Sequence, residues 1–454
     1  MPTIQYHRKV FCAIVGENAE GTFTRASQRH CLFNFADITT DPINYKTMIN
    51  RPLFSAVVAL LVASAVADSI FNKALLDSTS PGVCIDGSPA GHFVSEGSGV
   101  NRTKFLLYFE GGLTCGEGDL QSTLESCYQN LETNQGSSKY LPDSFNGRLA
   151  GILSGDVAIN PHFSDWTRII FMYCDGAMYQ GHKAAPVSYK STDLYFRGQN
   201  ITQERFNWLN AKYAINTNAT DIILAGSDDG AIGALLWANH LQDAVKGKVR
   251  VIADSGVLLD VVNPTTKRPH FQDAYINIMK LSNVEVGTPC AECNTKYPTE
   301  RWRCLFFENL YATVKQSMFV VDSLYDEESF GISLGVDCID SFGTLDLCNA
   351  TEKASIEGYK SGVVNLLNKA TAISGNGAWA PACVTRGGLL TKPTWTDNTF
   401  QTPMNSGYTI EKSVNNWFLG IAEPEKYKHV DTVSWPNNAP CSGVTTLQRS
   451  LMTE

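Results

Sequence analysis

The stretch that decides the fold is DIILAGSDDGAIGALLWANHLQDAV, residues 221–245. Its apolar run IILA predicts a buried strand, and the spacing of apolar residues after Gly230 predicts a helix. Gly226 and Gly230 flank Asp228, two residues away on either side, and glycine lets the backbone turn sharply without steric clash. The segment therefore predicts a strand, a tight turn and a helix, with the Asp228 side chain raised above the sheet.

Further apolar runs of strand length and further helical patterns surround this segment. Strands are predicted near 104–110, 168–173, 249–253 and 318–322, and helices near 203–215, 353–367 and 410–418. Strands that alternate with helices predict a mostly parallel central sheet with helices on both faces. Because no Pro/Gly/Ser-rich break divides residues 68–454, we predict one α/β domain with loop insertions.

The composition excludes several classes of protein and partner. The 454-residue chain is 43% hydrophobic and 18% charged, with a formal net charge of -9. This balance suits a globular protein and excludes collagen, coiled coil and wholesale disorder. Since the chain is mildly acidic and has no basic block, we expect no nucleic acid partner. We expect no cofactor and no metal, and the oligomeric state stays open.

Residues 48–67 (MINRPLFSAVVALLVASAVA) have the layout of a secretory signal peptide. A basic residue precedes a short apolar core, and an A-x-A cleavage site ends it. The apolar core is too short to favour spanning a bilayer. We therefore predict a secreted, extracellular or cell-surface protein with a mature domain over 68–454. Residues 1–47 are interpreted as an upstream extension of the gene before a start at Met48, with a genuine N-terminal region and signal anchor as the alternative.

The cysteines and sequons point to the same compartment. Of the 13 cysteines, 11 follow residue 67, which predicts five disulfides and one free thiol. We expect local bridges between Cys115 and Cys127 and between Cys338 and Cys348, and a free thiol at Cys174. Disulfides are also preferred over zinc for the pair Cys290 and Cys293, because no second CxxC or His pair accompanies it. Glycosylation sequons occur at Asn101, Asn200, Asn218 and Asn349.

The turn in the opening segment has the layout of a nucleophile elbow. In an esterase the central residue is serine, but here it is Asp228. Ser227 lies one residue before the centre of the turn. In a strained turn, adjacent residues direct their side chains differently, so Ser227 is not expected to take the place of the central residue. The alternative interpretation is an ordinary strand-to-helix turn with an acidic cap.

Four further motifs follow one another along the chain: CIDGSP at 84–89, FEGGLTC at 109–115, YCDG at 173–176 and LYFRG at 194–198. This ordered series resembles the pectin acetylesterase family, which also contains the Notum carboxylesterases. The first two motifs are similar to the C-x-D-G-S-P and EGG-x-x-C segments of that family and the last to its FRG segment, while YCDG resembles the plant-type branch. The resemblance runs from about 83 to 441. It implies an α/β-hydrolase-like fold and descent from Ser-Asp-His esterases.

The resemblance also implies which residues occupy the catalytic positions. When the chain is compared with the family elbow sequence G-C-S-A-G-G, Ser227 stands in place of the cysteine and Asp228 in place of the nucleophilic serine. Asp326 ends a segment similar to the one that carries the catalytic acid of the family. Arg386 stands where the S-C-x-x-H segment supplies the catalytic base.

The remaining site residues follow from the same resemblance. The backbone N–H groups of Gly112 and Asp229 would form the oxyanion hole, and backbone donors survive changes of side chain. Gly111 and Asp175 would contact the substrate. The alternative for Asp175 is a structural acid in the Cys-Asp-Gly turn.

The two substitutions remove the proton transfer that a serine esterase needs. Arginine stays protonated and has no acceptor lone pair, so Arg386 cannot take a proton from serine or water. We therefore predict an impaired esterase that keeps its pocket and binds an acylated glycan or an acylated partner. An ion-paired chain Asp228–Arg386–Asp326 would then replace the triad.

Two enzymatic alternatives remain. The first is an active carboxylic-ester hydrolase that deacetylates polysaccharide through Ser227 or an unexpected base such as His182. The second makes Asp228 a nucleophile toward alkyl carbon, which without a histidine would end after a single turnover.

Overall fold

The computed structural model describes residues 70–112, 114–148, 150–282, 289–339, 344–385 and 387–435. The predicted extension at 1–47 and the predicted signal peptide at 48–67 lie outside these residues. The strands are β1 (Ile70–Leu75), β2 (Gly91–Ser95), β3 (Lys104–Phe109), β4 (Ser144–Asn146), β5 (Thr167–Phe171), β6 (Val187–Tyr189), β7 (Thr192–Leu194), β8 (Asp221–Ser227), β9 (Lys248–Asp254), β10 (Met318–Val321), β11 (Gly377–Ala380) and β12 (Lys428–Val430).

Helices alternate with these strands along the chain. They are α1 (Leu120–Gln129), α2 (Gly198–Tyr213), α3 (Ile215–Asn218), α4 (Asp229–Ala244), α5 (His270–Ser282), α6 (Ala291–Lys296), α7 (Phe307–Leu310), α8 (Glu327–Ser329), α9 (Ala350–Ala372) and α10 (Ile410–Phe418). Among the described residues, no helix is both long and apolar enough to cross a membrane.

Ten strands form one sheet in the order β12-β11-β10-β9-β8-β3-β5-β2-β1-β4. The strands from β12 to β5 in this order pair in parallel. At the other edge, β2, β1 and β4 pair antiparallel. The prediction of a mostly parallel central sheet is therefore confirmed.

Both faces of the sheet are covered, as the side chains of β8 show. Ile222 and Leu224 pack in one buried cluster, which also contains the apolar residues of α4 and α9. Ile223 and Ala225 point to the opposite face and pack in a second cluster with residues of α10. Because successive side chains of a strand point to opposite faces, a continuous apolar run such as IILA requires helices on both sides.

Chain segments from four strands meet at the carboxyl edge of the parallel sheet. Ser227 at the end of β8 pairs with Asp254 at the end of β9. Beyond β10 and β11, Tyr325 and Val384 form an isolated parallel bridge that continues the same edge. The carboxyl ends of parallel strands are the usual place for a binding site in an open α/β sheet.

Four complete disulfides lie within the described residues and correct part of the prediction. Cys115–Cys127 and Cys338–Cys348 form as expected. The prediction of a free thiol at Cys174 is wrong, because Cys174 bonds to Cys84, 90 residues away. The backbone explains this pairing, since the Ile85 N–H donates to the Cys174 carbonyl at 3.0 Å.

The cysteines near residue 290 are divided between two states. Cys293 bonds to Cys304, so a disulfide is correct for this residue. Cys290 is instead the free cysteine of the described chain, and it is buried. The prediction of a disulfide at Cys290 is therefore wrong, because Cys293, the other cysteine of the motif, bonds to Cys304.

Candidate functional site

The turn between β8 and α4 has the conformation of a strained elbow. Asp228 at its centre has a φ of 52° and a ψ of -124°. A positive φ is costly for a residue with a Cβ and persists where the surrounding structure imposes it. A Cβ on Gly230 would lie 2.2 Å from the Phe109 carbonyl oxygen, so glycine is required where the turn approaches β3.

The carboxylate of Asp228 is enclosed by backbone on two sides. A Cβ on Gly387 would lie 2.9 Å from both of its oxygens, and a Cβ on Gly111 would lie 3.0 Å from Oδ2. The Asp228 N–H donates to the Asp254 carbonyl at 2.9 Å. Gly111, a predicted substrate contact, therefore lies directly against the central side chain of the elbow.

Ser227 faces a different environment from its neighbour Asp228. Its side chain is buried, with 3% of its surface exposed. Its hydroxyl donates to Asp254 Oδ2 at 2.9 Å and lies 2.7 Å from the Tyr108 hydroxyl. Among the residues that the structure describes, its side-chain partners are thus a phenol and a carboxylate rather than an imidazole.

Asp254 connects three segments at the edge of the sheet. Its Oδ2 accepts from Ser227 and from the Leu390 N–H at 3.0 Å, while its Oδ1 accepts from the Ser255 hydroxyl at 2.9 Å. Burial raises the pKa of this carboxyl to about 6. Asp254 therefore holds the elbow strand and the loop that carries Gly387 together.

Asp326, the predicted catalytic acid, caps the short helix α8. Its carboxylate accepts from the Glu328 N–H at 3.1 Å and from the Ser329 hydroxyl at 2.6 Å. Asp322 lies nearby, and burial, together with the charge of Asp326, raises its pKa well above the ordinary value. Both acids are largely buried at the end of β10.

Arg386 lies outside the described residues, so its ion pairs with Asp228 and Asp326 stay predictions. The described chain on either side of this position reaches both acids. Val384 bridges to Tyr325, next to Asp326, and Gly387 lies against the Asp228 carboxylate.

Tyr173 contacts both residues whose backbone N–H groups are predicted to form the oxyanion hole. A Cβ on Gly112 would lie 2.1 Å from its ring, and its hydroxyl donates to Asp229 Oδ2 at 2.9 Å. Sequence reasoning missed this role of Tyr173, although the residue opens the YCDG motif. The oxyanion hole itself remains a prediction.

Asp228 and Asp229 line a cavity of about 130 Å³. Its wall combines the acidic Glu117 and Glu328 with apolar side chains such as Ile232, Phe271 and Ile332. His270, the first residue of α5, lines the same cavity. The sequence analysis did not select His270 as a base, because it lies outside the segment that supplies the base in the family.

Two other predicted residues lie away from this cavity. Asp175 is 1% exposed and accepts from the Tyr179 N–H at 3.2 Å, and burial raises the pKa of its carboxyl to about 6. This position favours its alternative role as a structural turn acid. His182 is exposed and lines a separate cavity of about 340 Å³ with Gln203 and His240.

A parallel sheet covered on both faces, with a strained elbow after a central strand, defines an α/β-hydrolase-like protein. The comparison with known families gives the narrower assignment. The sequence model of the family described as "Pectinacetylesterase" matches residues 64–442, so the chain belongs to the pectinacetylesterase family.

Relatives from both branches of this family are similar to the chain. Pectin acetylesterase 11 of Arabidopsis thaliana is 27% identical over 408 residues, which cover 87% of this chain and 98% of the plant protein. The palmitoleoyl-protein carboxylesterase NOTUM of Mus musculus is 27% identical over 382 residues, which cover 79% of this chain and 69% of the mouse protein. Identity alone therefore does not separate the acetylesterase branch from the lipid-directed one.

Proposed function

We propose that this protein is a secreted family member that has lost Ser–His esterase chemistry and binds an acetylated glycan at the elbow cavity. The observation that carries the proposal is Asp228 at the centre of the strained elbow. A serine esterase needs a hydroxyl there that attacks the acyl carbon and a base that takes its proton. A carboxylate at this position has no such proton to give and forms no stable acyl ester.

Ser227 does not supply the missing hydroxyl. Its oxygen is engaged by Tyr108 and Asp254 on the buried side of the turn. This hydroxyl is buried, with 3% of the residue exposed, and its described side-chain partners are a phenol and a carboxylate rather than the imidazole that serine esterases use. The alternative of an active esterase that uses Ser227 is therefore disfavoured.

The sequence removes the base as well. Arg386 replaces the histidine of the family motif, and a guanidinium cannot accept a proton at any relevant pH. Loss of the nucleophile or the base in a serine hydrolase lowers turnover by up to about a millionfold, and the two losses are not additive. A second substitution therefore adds little to the first.

The size of the cavity supports a short acyl group as the ligand. A volume of about 130 Å³ is below the ~150 Å³ of an engineered cavity that admits benzene. Pockets that enclose larger organic ligands have volumes of roughly 300–1,000 Å³. An acetyl group fits such a space and a long lipid chain does not, which favours an acetylated glycan over a palmitoleoylated partner.

Secretion is supported by the bonding and exposure of particular residues. Disulfides such as Cys84–Cys174 persist in oxidising compartments. The sequon residues Asn218 and Asn349 are exposed and accessible to glycan attachment.

Binding and a serine probe test this proposal together. Acetylated and deacetylated oligogalacturonides are titrated into the wild type and into Ile332→Trp, which narrows the cavity from a partly exposed wall position. We expect binding of the acetylated ligand by the wild type and loss of binding by Ile332→Trp. Val262→Trp, at an exposed site 57% accessible, is the matched control and should bind normally.

A fluorophosphonate probe gives the decisive second readout. The proposal predicts no labelling of the wild type, because the centre of the elbow carries Asp228 in place of a nucleophilic serine. Labelling of Ser227, or equal binding of the acetylated and deacetylated ligands, contradicts it.

A further inference from the structure

The elbow cavity contains an imidazole that does not come from the family base segment. His270 begins α5 and lines the same space of about 130 Å³ as Asp228 and Asp229. Its ring is partly buried and makes an edge contact with Phe271 at 5.7 Å between centroids. A neutral imidazole is the side chain best suited to take a proton from water near neutral pH.

Helix α5 is fixed to the segment that follows Gly112. The Asn277 side chain donates to the Glu117 carbonyl at 2.8 Å, and Arg268 Nη2 donates to the Gly118 carbonyl at 2.8 Å. At Gly116 the two segments approach so closely that a Cβ would lie 2.4 Å from the Ala274 carbonyl oxygen. His270 therefore stands on a helix that is held in place relative to the predicted oxyanion donors.

The same segment is closed by a covalent bond. Cys115 bonds to Cys127 in α1, so residues 115–127 form a closed loop beside α5. A site on elements fixed in this way can hold a water and an acyl group in one geometry, which proton transfer requires.

We propose that His270 is a general base that activates water for direct attack on a short acyl ester bound in the elbow cavity. This inference rests on the proposed function for its ligand, and it adds a slow hydrolysis that uses no serine. The substrate class is an acetyl ester of a glycan hydroxyl.

The reaction is a single displacement at the acyl carbon. His270 takes a proton from water as the water oxygen bonds to the acyl carbon, and the carbonyl electron pair moves onto its oxygen. The N–H groups of Gly112 and Asp229 stabilise that oxyanion. The carbon–oxygen bond to the glycan then breaks, and the departing alkoxide takes the proton back from His270. The products are acetic acid and the free hydroxyl.

The carboxylates around the cavity have a defined part in this step. Glu117, Asp228 and Glu328 line the same space and favour the positive charge that His270 carries between the two proton transfers. Asp228 thus acts electrostatically, and no covalent bond forms between protein and substrate.

The test compares His270→Gln with His182→Gln. Any accessible imidazole can hydrolyse an activated acetate, so His182, exposed at the other cavity, is the matched control. Release of acetate is measured from p-nitrophenyl acetate and from acetylated oligogalacturonide. We expect His270→Gln to lower the rate about 100-fold and His182→Gln to leave it unchanged.

Chemical rescue separates a catalytic role from a structural one. His270→Ala should regain release of acetate from acetylated oligogalacturonide when imidazole is added, beyond the rate of the same imidazole solution without protein, and its thermal unfolding should match that of the wild type. A wild-type rate equal to that of His270→Gln, or an absence of rescue in a folded His270→Ala protein, overturns the inference.

The failure of this inference differs from the failure of the proposed function. If the wild type binds the acetylated glycan but does not hydrolyse it, only the role of His270 is lost. If the hydrolysis is blocked by a fluorophosphonate bound to Ser227, the proposed function itself is wrong.

Discussion

Ser227 and Asp228 are neighbours in the chain but face two different regions of the molecule. On the buried side, Ser227 lies between Tyr108 and Asp254. On the cavity side, Asp228 shares a space of about 130 Å³ with His270. Ser227 is the last residue of β8, and the positive φ of Asp228 marks the point where the chain turns from this strand into α4.

This contrast shows how a serine next to an elbow differs from a serine at its centre. The buried side is a network of satisfied polar groups that stabilises the fold. The cavity side carries acids and an imidazole in a partly open space, where chemistry and ligand binding are possible. A change on one side should therefore alter function and a change on the other should alter stability.

The largest effect should come from restoring the family residues on the cavity side. The double change Asp228→Ser plus Arg386→His places a hydroxyl at the elbow and an imidazole in the base segment, while Asp326 is retained. Because triad residues act as a unit, we expect esterase activity at least about 1,000-fold above the wild type. The measurement is hydrolysis of p-nitrophenyl acetate, with fluorophosphonate labelling at residue 228.

The single variants are the controls for that gain. Asp228→Ser alone and Arg386→His alone should each stay far below the double variant, since each lacks one half of the pair. An inactive but folded double variant would show that the cavity side has changed beyond these two residues.

Sequence reasoning predicted the fold because the fold depends on local patterns. The apolar run of β8 and the helical spacing of α4 are each visible within a dozen residues. The glycine spacing also located the turn correctly. By contrast, the pairing of Cys174 with Cys84 depends on two segments 90 residues apart, and no local pattern encodes it.

The candidate site was only partly predictable for the same reason. Asp228 and Asp229 follow from the turn itself. His270 joins them only because α5 packs on the segment around Gly116, and the contact of Asp254 with Leu390 spans 136 residues. Contacts between residues so far apart in the sequence depend on tertiary packing, so a single sequence without a structure does not reveal them.

A smaller effect should appear on the buried side as a dependence of stability on pH. Burial raises the pKa of Asp254 to about 6, above an unfolded value near 3.9. Between these values the folded state binds more protons than the unfolded state, so the free energy of unfolding falls as the pH rises from about 4 to about 6. Asp254→Asn removes this titration. Between pH 4 and pH 6 the unfolding free energy of this variant should therefore fall by on the order of 1–3 kcal/mol less than that of the wild type.

Urea denaturation at several pH values between 4 and 7 measures this difference. Glu110 and Asp175 also have raised pKa values, of about 7 and about 6, and their titrations remain in both the wild type and Asp254→Asn. The contribution of Asp254 is the difference between the two curves. Identical slopes would mean that its carboxyl does not hold the proton in the folded protein.

The smallest effect should come from Ser227→Ala, which tests the division between the two sides most directly. Loss of this hydroxyl leaves the Tyr108 hydroxyl and one oxygen of Asp254 each short of a partner, which costs about 1–2 kcal/mol of unfolding free energy. Because Tyr108→Phe removes the same contact from its other end, the double variant should lose less than the sum of the two single losses. Binding of the acetylated glycan should not change in any of the three variants. A folded Ser227→Ala protein with normal stability and weakened binding would instead place this hydroxyl on the cavity side.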